Sequence, residues 1–250
     1  MTPLDLLCSA PFHDAASAQR ARILSRLADT ELFAALVEEP ADDRAELQIY
    51  TLDEGPVALA CDAEDRLAGF VGGPVAYVAL PGRVLASALA QEGRGLLVNP
   101  GHPSQMLLGP DLLSWLVEAL AAQPSLAPDE APRRIAPPRP DVVEILAEPL
   151  ATRLGDMVGL LESAALVEAD WQEGRRAHAL ILKGAAPDHR AALAKAFAEL
   201  LAFLPEIEGG VDIAFSDTTP PDVALLIEPP VPAEPKPTPR RDPDAPPRLR

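Results

Sequence analysis

Hydrophobic residues recur at helical spacing near the start of the chain and in short runs further on. Apolar residues lie three or four positions apart over 23–37, which predicts helix on both sides of Asp29-Thr30. Strands are predicted over 46–52, 57–61 and 95–98, and helices begin at Pro81 and Pro110. The run Val75 to Leu80 is apolar throughout, as expected of a strand buried on both faces. This alternation predicts a mixed α/β sheet.

The second half of the chain shows a more regular pattern. Strands are predicted over 142–147, 164–171, 178–183 and 211–215, with a hairpin turn at Glu173-Gly174. Two helices, over 150–161 and 188–204, have apolar residues at the same spacing. The order β-α-β-β-α-β is the ferredoxin-like pattern, and 223–227 could add an edge strand. The fold class is therefore α+β, with the mixed sheet domain followed by a ferredoxin-like domain.

Proline divides the chain into these two domains. Residues 121–140 contain six prolines and no apolar periodicity, which predicts a semi-rigid linker. Residues 229–250 are rich in Pro, Arg and Asp and poor in large apolar side chains, which predicts a disordered tail. The predicted domains accordingly cover 1–120 and 141–228.

The composition excludes several classes of protein. With 21 Lys+Arg against 38 Asp+Glu, the net charge of −17 repels nucleic acid, and Arg133-Arg134 and Arg240-Arg241 are too short to offset it. The longest uncharged apolar stretch, 68–82, is too short to span a membrane. The first residues lack the basic segment of a signal peptide, and Cys8 and Cys61 form no C-x-x-C motif. We therefore expect a reduced cytoplasmic protein that binds neither nucleic acid nor membrane.

Motifs for catalysis or cofactor binding are missing from the sequence. It contains no phosphate-binding glycine loop, nucleophile elbow or zinc-protease motif, and its four histidines are scattered. A nucleophilic pair of Cys8 and His13 is conceivable, but a packed thiol is the more ordinary interpretation. The acidic turn Asp62, Glu64 and Asp65 could bind a divalent cation, although such a turn is expected by chance in an acidic chain. We expect no catalytic residues, no cofactor and no metal site.

The most distinctive local sequence follows the strand at 95–98. Asn99, Pro100, Gly101 and His102 form a turn at the carboxyl end of that strand, where ligands often bind in α/β sheets. These residue types also suit a purely structural turn. The turn is therefore a candidate contact or ligand site, and Trp171, at a strand end, is a candidate exposed anchor.

Several of these segments resemble the SseB family, the enhanced serine sensitivity proteins. The resemblance rests on Val75-Ala-Tyr-Val, the helix after Pro81 and Gly95-Leu-Leu-Val-Asn-Pro-Gly for the N-terminal SseB domain. Ala179-Leu-Ile-Leu and Val211-Asp-Ile-Ala-Phe resemble the C-terminal SseB domain. The resemblance implies a cytoplasmic bacterial protein linked by name to serine tolerance, and it brings no catalytic residues to transfer.

These observations favour a non-enzymatic protein that acts through contacts with an unidentified protein partner. Exposed sheet faces and edges suit such contacts, and self-association into a homo-oligomer is left open. The alternative is a small-ligand sensor that binds an amino acid near Asn99 to His102 or on the second sheet. An enzyme that uses Cys8 or Cys61 is a third interpretation.

Overall fold

The chain is described by a computed structural model over residues 1–40, 45–128, 131–171 and 174–229, which contain two β-sheets, and we call each sheet with its helices a unit. The N-terminal unit, residues 1–120, contains α1 Pro3–Leu7, α2 Ser17–Asp29, β1 Glu31–Ala35, β2 Ile49–Leu52, β3 Gly55–Cys61, α3 Glu64–Val71, β4 Tyr77–Pro81, α4 Gly82–Gln91, β5 Gly95–Val98, β6 Met106–Leu108 and α5 Pro110–Leu120. The second unit, which follows residue 120, contains β7 Arg134–Ala136, α6 Pro140–Gly155, β8 Ser163–Asp170, β9 Arg176–Lys183, α7 Pro187–Ala202, β10 Val211–Ser216 and β11 Leu225–Ile227. The α+β class is confirmed.

The N-terminal sheet has the strand order β4-β1-β3-β5-β6, with β2 also paired to β3. β3 and β5 are parallel, and the other neighbours are antiparallel. One face packs against α2, α4 and α5 through a large core that includes Ile23, Leu85 and Leu113. The opposite face carries a small cluster in which Leu67 of α3 packs with Leu59. The two faces are therefore covered to very different extents.

Two sequence predictions for this unit were wrong. The segment Glu31–Ala35 is strand β1 instead of helix, because α2 ends at Asp29 and Thr30 already has extended backbone angles. Pairing of β1 with both β3 and β4 overrides the helical spacing, and the strand buries Leu32 and Ala34 on the core face. The segment predicted as a strand buried on both faces is β4, an outer strand with alternating exposure.

The second sheet has the order β10-β9-β8-β11, with β7 also paired to β8. Helices α6 and α7 cover one face and enclose a core that includes Leu146, Leu166 and Phe197. The predicted strand 142–147 is wrong, since it is the first half of α6. Val142, Leu146 and Leu150 lie four residues apart and all face the core.

The ferredoxin-like arrangement is not confirmed. If β7 is counted first, the element order is β-α-β-β-α-β, followed by β11. However, β7 and β8, which α6 joins, are adjacent and antiparallel, and β9 and β10, which α7 joins, are adjacent and parallel. No strand is inserted between two strands joined by a helix, as the split β-α-β pattern requires.

The proline-rich segment 121–140 is attached to the second sheet at two places. The N–H of Ile213 in β10 donates to Ser125 O at 2.7 Å, and Ala127 N donates to Ile213 O at 2.9 Å. Further on, Arg133 N donates to Asp170 O at 2.8 Å, and β7 continues the pairing with β8. The segment therefore supplies part of the second unit, beyond its predicted role as a linker. The predicted disordered tail lies outside the described residues from 230 onward.

Polar contacts and one aromatic side chain join the two units. Arg83 of α4 pairs with Glu199 of α7 at 3.2 Å, and Arg153 of α6 pairs with Asp29 at 3.3 Å. Phe203, just after α7, is buried in the core of the N-terminal unit. Among the described residues, no helix is both long and apolar enough to cross a lipid bilayer.

Candidate functional site

Asn99, the first residue of the candidate turn, is fully buried and hydrogen-bonded. Its backbone has φ of 47°, a conformation that Asn adopts more readily than most residues. Its Oδ1 accepts from Asp62 N at 2.9 Å, and its Nδ2 donates to Ser104 Oγ at 2.8 Å. The side chain therefore ties the end of β5 to the start of the α3 region and is engaged inside the fold.

The contacts of Asn99 continue into a buried network of charges. Arg66 Nη1 donates to Asp5 Oδ1 and to Asp62 Oδ1, each at 3.1 Å, and its Nη2 also bonds to Asp5. Ser104 Oγ donates to the same Asp5 Oδ1 at 2.6 Å. The side chains of Asp5, Asp62 and Arg66 are 2%, 2% and 9% exposed. We call these five residues, including Asn99 and Ser104, the Asp5–Arg66 network.

The protonation of Asp5 follows from this environment. The hydrogen bonds from Arg66 hold the pKa of the Asp5 carboxyl well below its usual range, while burial acts in the opposite direction. Donation from Ser104 and from Thr2 N lowers the pKa further. Asp5 is therefore a carboxylate that holds the guanidinium in place, and the network ties α1 to α3 and to the turn after β5.

The other residues of the candidate turn differ in exposure. Pro100 is buried, Gly101 is exposed with φ of 79°, and His102 is half-buried. His102 lines an open cavity of about 740 Å³ together with Cys8, His13 and other residues before α2 and around β6. His102 is the turn residue that lines this cavity, and it remains a candidate contact or ligand residue.

Both thiols are buried, and burial raises their pKa values. The pKa of Cys61 rises to about 11 because its sulfur is desolvated, and Cys8 shifts in the same direction for the same reason. A nucleophilic cysteine requires the opposite shift, toward the thiolate. The geometry thus favours the interpretation of Cys8 and Cys61 as packed side chains.

The acidic turn is divided between two environments. Asp62 belongs to the Asp5–Arg66 network, whereas Glu64 and Asp65 are exposed in the first turn of α3. In the part of the chain that the structure describes, no three His, Cys, Asp or Glu side chains are arranged to hold a metal ion.

The two tryptophans differ in exposure, and Trp171 is not the exposed anchor that the sequence predicts. Trp171, the predicted exposed anchor, is only 5% exposed because it packs with Val167, Ala169 and Ala179 on the second face of the β8–β9 hairpin. Trp115 in α5 is 41% exposed and packs edge to face on Phe203, with ring centroids 5.6 Å apart. Its position between the units could not be inferred from the sequence of α5 alone.

A cleft of about 350 Å³ lies between the two units. Its apolar walls include Leu6, Leu7 and Phe203, and Arg22 and Arg153 stand among its polar residues. Both arginines are already paired across the cleft, Arg22 with Glu148 at 2.9 Å and Arg153 with Asp29. Sequence analysis missed this cleft because its two sides are distant along the chain.

An exposed apolar surface lies at the β4 end of the N-terminal sheet. Val37 follows β1, Tyr77 begins β4, and Phe70 and Val71 end α3, which packs on the same face of the sheet. These four side chains are between 40% and 53% exposed. We call them the β4 surface. The sequence signal for this surface was the short uncharged strand that follows Gly72-Gly73. The apolar pattern of that strand predicted burial on both faces, so its exposure was missed.

Comparison with known proteins gives one match. Residues 10–115 match the family model described as SseB protein N-terminal domain. No curated protein and no solved structure matches this chain. The matched segment runs from before α2 to the middle of α5 and contains the candidate turn, whereas α1 and the whole second unit lie outside it.

Proposed function

The N-terminal unit of this chain belongs to the SseB family, and from that premise we propose that the protein is non-enzymatic and acts through contacts with a protein partner. The observation that carries this proposal is the β4 surface. Its four large apolar side chains are between 40% and 53% exposed, and exposed apolar surface on a folded unit marks interaction sites when it is grouped on one face. The same proposal places the protein in the cytoplasm, where its two free thiols would stay reduced.

The charges and pKa shifts of the described residues support a role in protein–protein binding more than a role in catalysis. Arg66, Arg83 and Arg153 are all engaged in ion pairs that hold elements or units together. Asp5 and the two cysteines have pKa values shifted away from those that general acid–base or nucleophilic catalysis needs. The link of the family name to serine sensitivity gives a phenotype to follow, growth in excess serine.

The experiment is affinity capture from native cells with the full chain and two variants. Phe70→Gln removes one apolar side chain from the β4 surface but keeps a good helix former. Val158→Gln is the matched control, because Val158 is 83% exposed and lies in the second unit. We expect a near-stoichiometric partner with the natural chain and with Val158→Gln, and much less of it with Phe70→Gln. Capture of no partner by the natural chain would overturn the proposal.

A second candidate function, a small-ligand sensor, is favoured by the two concave sites. Clefts between units and apolar-walled cavities of a few hundred Å³ are ordinary places for small ligands. The sensor predicts a saturable rise in melting temperature with serine or a related amino acid, because a ligand that binds only the folded state stabilises it. His102→Ala should abolish the rise if the cavity beside the candidate turn is the site. No rise at millimolar concentrations would count against this function.

A further inference from the structure

The outer strand of the N-terminal sheet has an open hydrogen-bonding edge. Among the described residues, β4 pairs only with β1, in the register Leu32↔Leu80 and Ala34↔Val78. Hydrogen-bonded pairs alternate along an antiparallel ladder. The direction of each backbone group of β4 therefore follows from the bonds at its two ends.

Those end bonds show which residues of β4 face outward. Leu36 N donates to Ala76 O at 2.8 Å, and Gly82 N donates to Thr30 O at 2.8 Å. The even-numbered residues of β4 thus bond to β1. Tyr77 and Ala79 direct both N–H and C=O away from the sheet, and Pro81 offers only its C=O.

Apart from Pro81 at its carboxyl end, β4 lacks the usual protection of an outer strand. Proteins commonly place charged side chains on such strands to prevent unwanted pairing, but Tyr77–Pro81 contains no charged residue. By contrast, β7 at an edge of the second sheet carries Arg134. Tyr77 and Ala79 are exposed residues whose backbone groups point outward, so an added strand would find the edge open.

The charges around the edge select the kind of partner. Exposed Glu31 lies opposite Pro81, exposed Glu38 follows Val37, and the carboxylate of Glu64 raises the pKa of the Tyr77 hydroxyl. Residues 1–120 contain seven arginines and no lysine against seventeen acidic residues. A second copy of this chain would bring the same negative charges, whereas a segment with basic residues would be attracted.

We propose that β4 is the docking edge for an extended segment of a partner protein, and this proposal rests on the proposed function. The segment is apolar at alternate positions, is flanked by Lys or Arg, and joins the sheet as a further strand. Its backbone would pair with Tyr77 and Ala79, and its apolar side chains would lie against the β4 surface. Main-chain bonds supply affinity in this mode, and alternating side chains supply specificity.

The test uses the full chain and a labelled peptide probe, Lys-Val-Thr-Val-Thr-Val-Lys. Ala79→Pro removes an outward N–H while leaving the bonds to β1, so its unfolding midpoint should match that of the natural chain. Ala79→Val is the matched control, because it keeps the N–H and favours a strand. Fluorescence anisotropy should show at least about tenfold weaker binding for Ala79→Pro and unchanged binding for Ala79→Val.

Changes in the peptide test the same geometry without altering the protein. N-methylation at alternate residues removes donors on one edge of the probe, and Glu in place of both Lys reverses its charge; each should weaken binding about tenfold. Hydrogen exchange should show protection of the Tyr77 and Ala79 amides only with the original peptide. Equal binding by Ala79→Pro, or by the methylated or acidic peptide, would overturn the proposal.

Two outcomes separate this proposal from the function it rests on. If a captured partner binds Ala79→Pro as well as the natural chain, the edge is wrong while the contact function stands; if no partner is captured at all, the contact function itself fails. A dimer in sedimentation that Ala79→Pro converts to a monomer would identify a second copy as the occupant and overturn the assignment to a partner protein.

Discussion

Removal of the Asp5 carboxylate should destabilise the N-terminal unit by about 3 kcal/mol. Breaking one partner of a buried ion pair typically costs about 3–5 kcal/mol, mostly because the other charge is left uncompensated. Arg66 is only 9% exposed and would keep a single carboxylate, Asp62, at 3.1 Å. That remaining partner places the expected cost of Asp5→Ala near the lower end of the range. Ser104 would also lose its acceptor.

The measurement is urea unfolding followed by tryptophan fluorescence. Trp115 lies in the N-terminal unit and Trp171 in the second, so a Trp171→Phe background makes the signal report the unit that contains Asp5. Asp14→Ala is the control, because Asp14 has a side chain that is 64% exposed and pairs only with exposed His13. That control should change the free energy of unfolding by less than about 0.5 kcal/mol.

A double variant tests the reason for the loss. If an uncompensated Arg66 causes it, Asp5→Ala with Arg66→Met should be more stable than Asp5→Ala alone, because both charges are then absent. The reasoning would be refuted if Asp5→Ala lowered the free energy of unfolding by less than about 1 kcal/mol. It would also be refuted if the loss in the double variant equalled the sum of the losses in Asp5→Ala and Arg66→Met. The pH dependence should agree: the low pKa of Asp5 stabilises the fold above the unfolded-state pKa of about 3.9, and this stability is lost as the pH falls below it.

Three further outcomes are expected. Burial, and then Arg139, lower the pKa of His178, so stability should decrease as the pH falls from 7 to 5; His178→Gln should lose that slope, while the same change at exposed His189 should keep it. Asn99→Ala should cost about 2–4 kcal/mol in urea unfolding, from two lost hydrogen bonds and a positive φ, and a cost below about 1 kcal/mol would contradict this. Phe203→Ala should lower the free energy of unfolding reported by Trp115 fluorescence by about 3–5 kcal/mol, whereas an unchanged value would mean that the units fold independently.

The sequence correctly predicted the elements whose apolar pattern fits either a helix or a strand but not both. Helices α4, α5 and α7 begin near prolines at or close to the predicted positions, β5, β8 and β9 contain short apolar runs, and β10 alternates apolar residues with Asp212 and Ala214. The errors fell where local pattern and tertiary pairing disagree. β1 has helical spacing but pairs with β3 and β4, and the start of α6 has strand-like Val-Val followed by Ile.

The candidate turn shows what sequence can and cannot supply at a site. Residue types at 99–102 correctly indicated a turn after a buried strand, because Asn and Gly adopt positive φ. They did not show that Asn99 bonds inward to Ser104 and Asp62, since Asp62 is 37 residues away in the chain. The open edge of β4 likewise depends on which strands end up as neighbours.

The attachment of the proline-rich segment to β10 has a consequence for the order of folding during synthesis. Ser125 Oγ donates to Asp212 Oδ1 at 2.6 Å, although Asp212 is made 87 residues later. At ordinary synthesis rates the segment waits roughly 4–18 s for its partner strand. Pro124 and Pro128 flank the waiting residues and have no N–H to offer another sheet, so the nascent chain is poorly suited to mispairing there. The same prolines that suggest a linker thereby keep a late-pairing segment available until β10 exists.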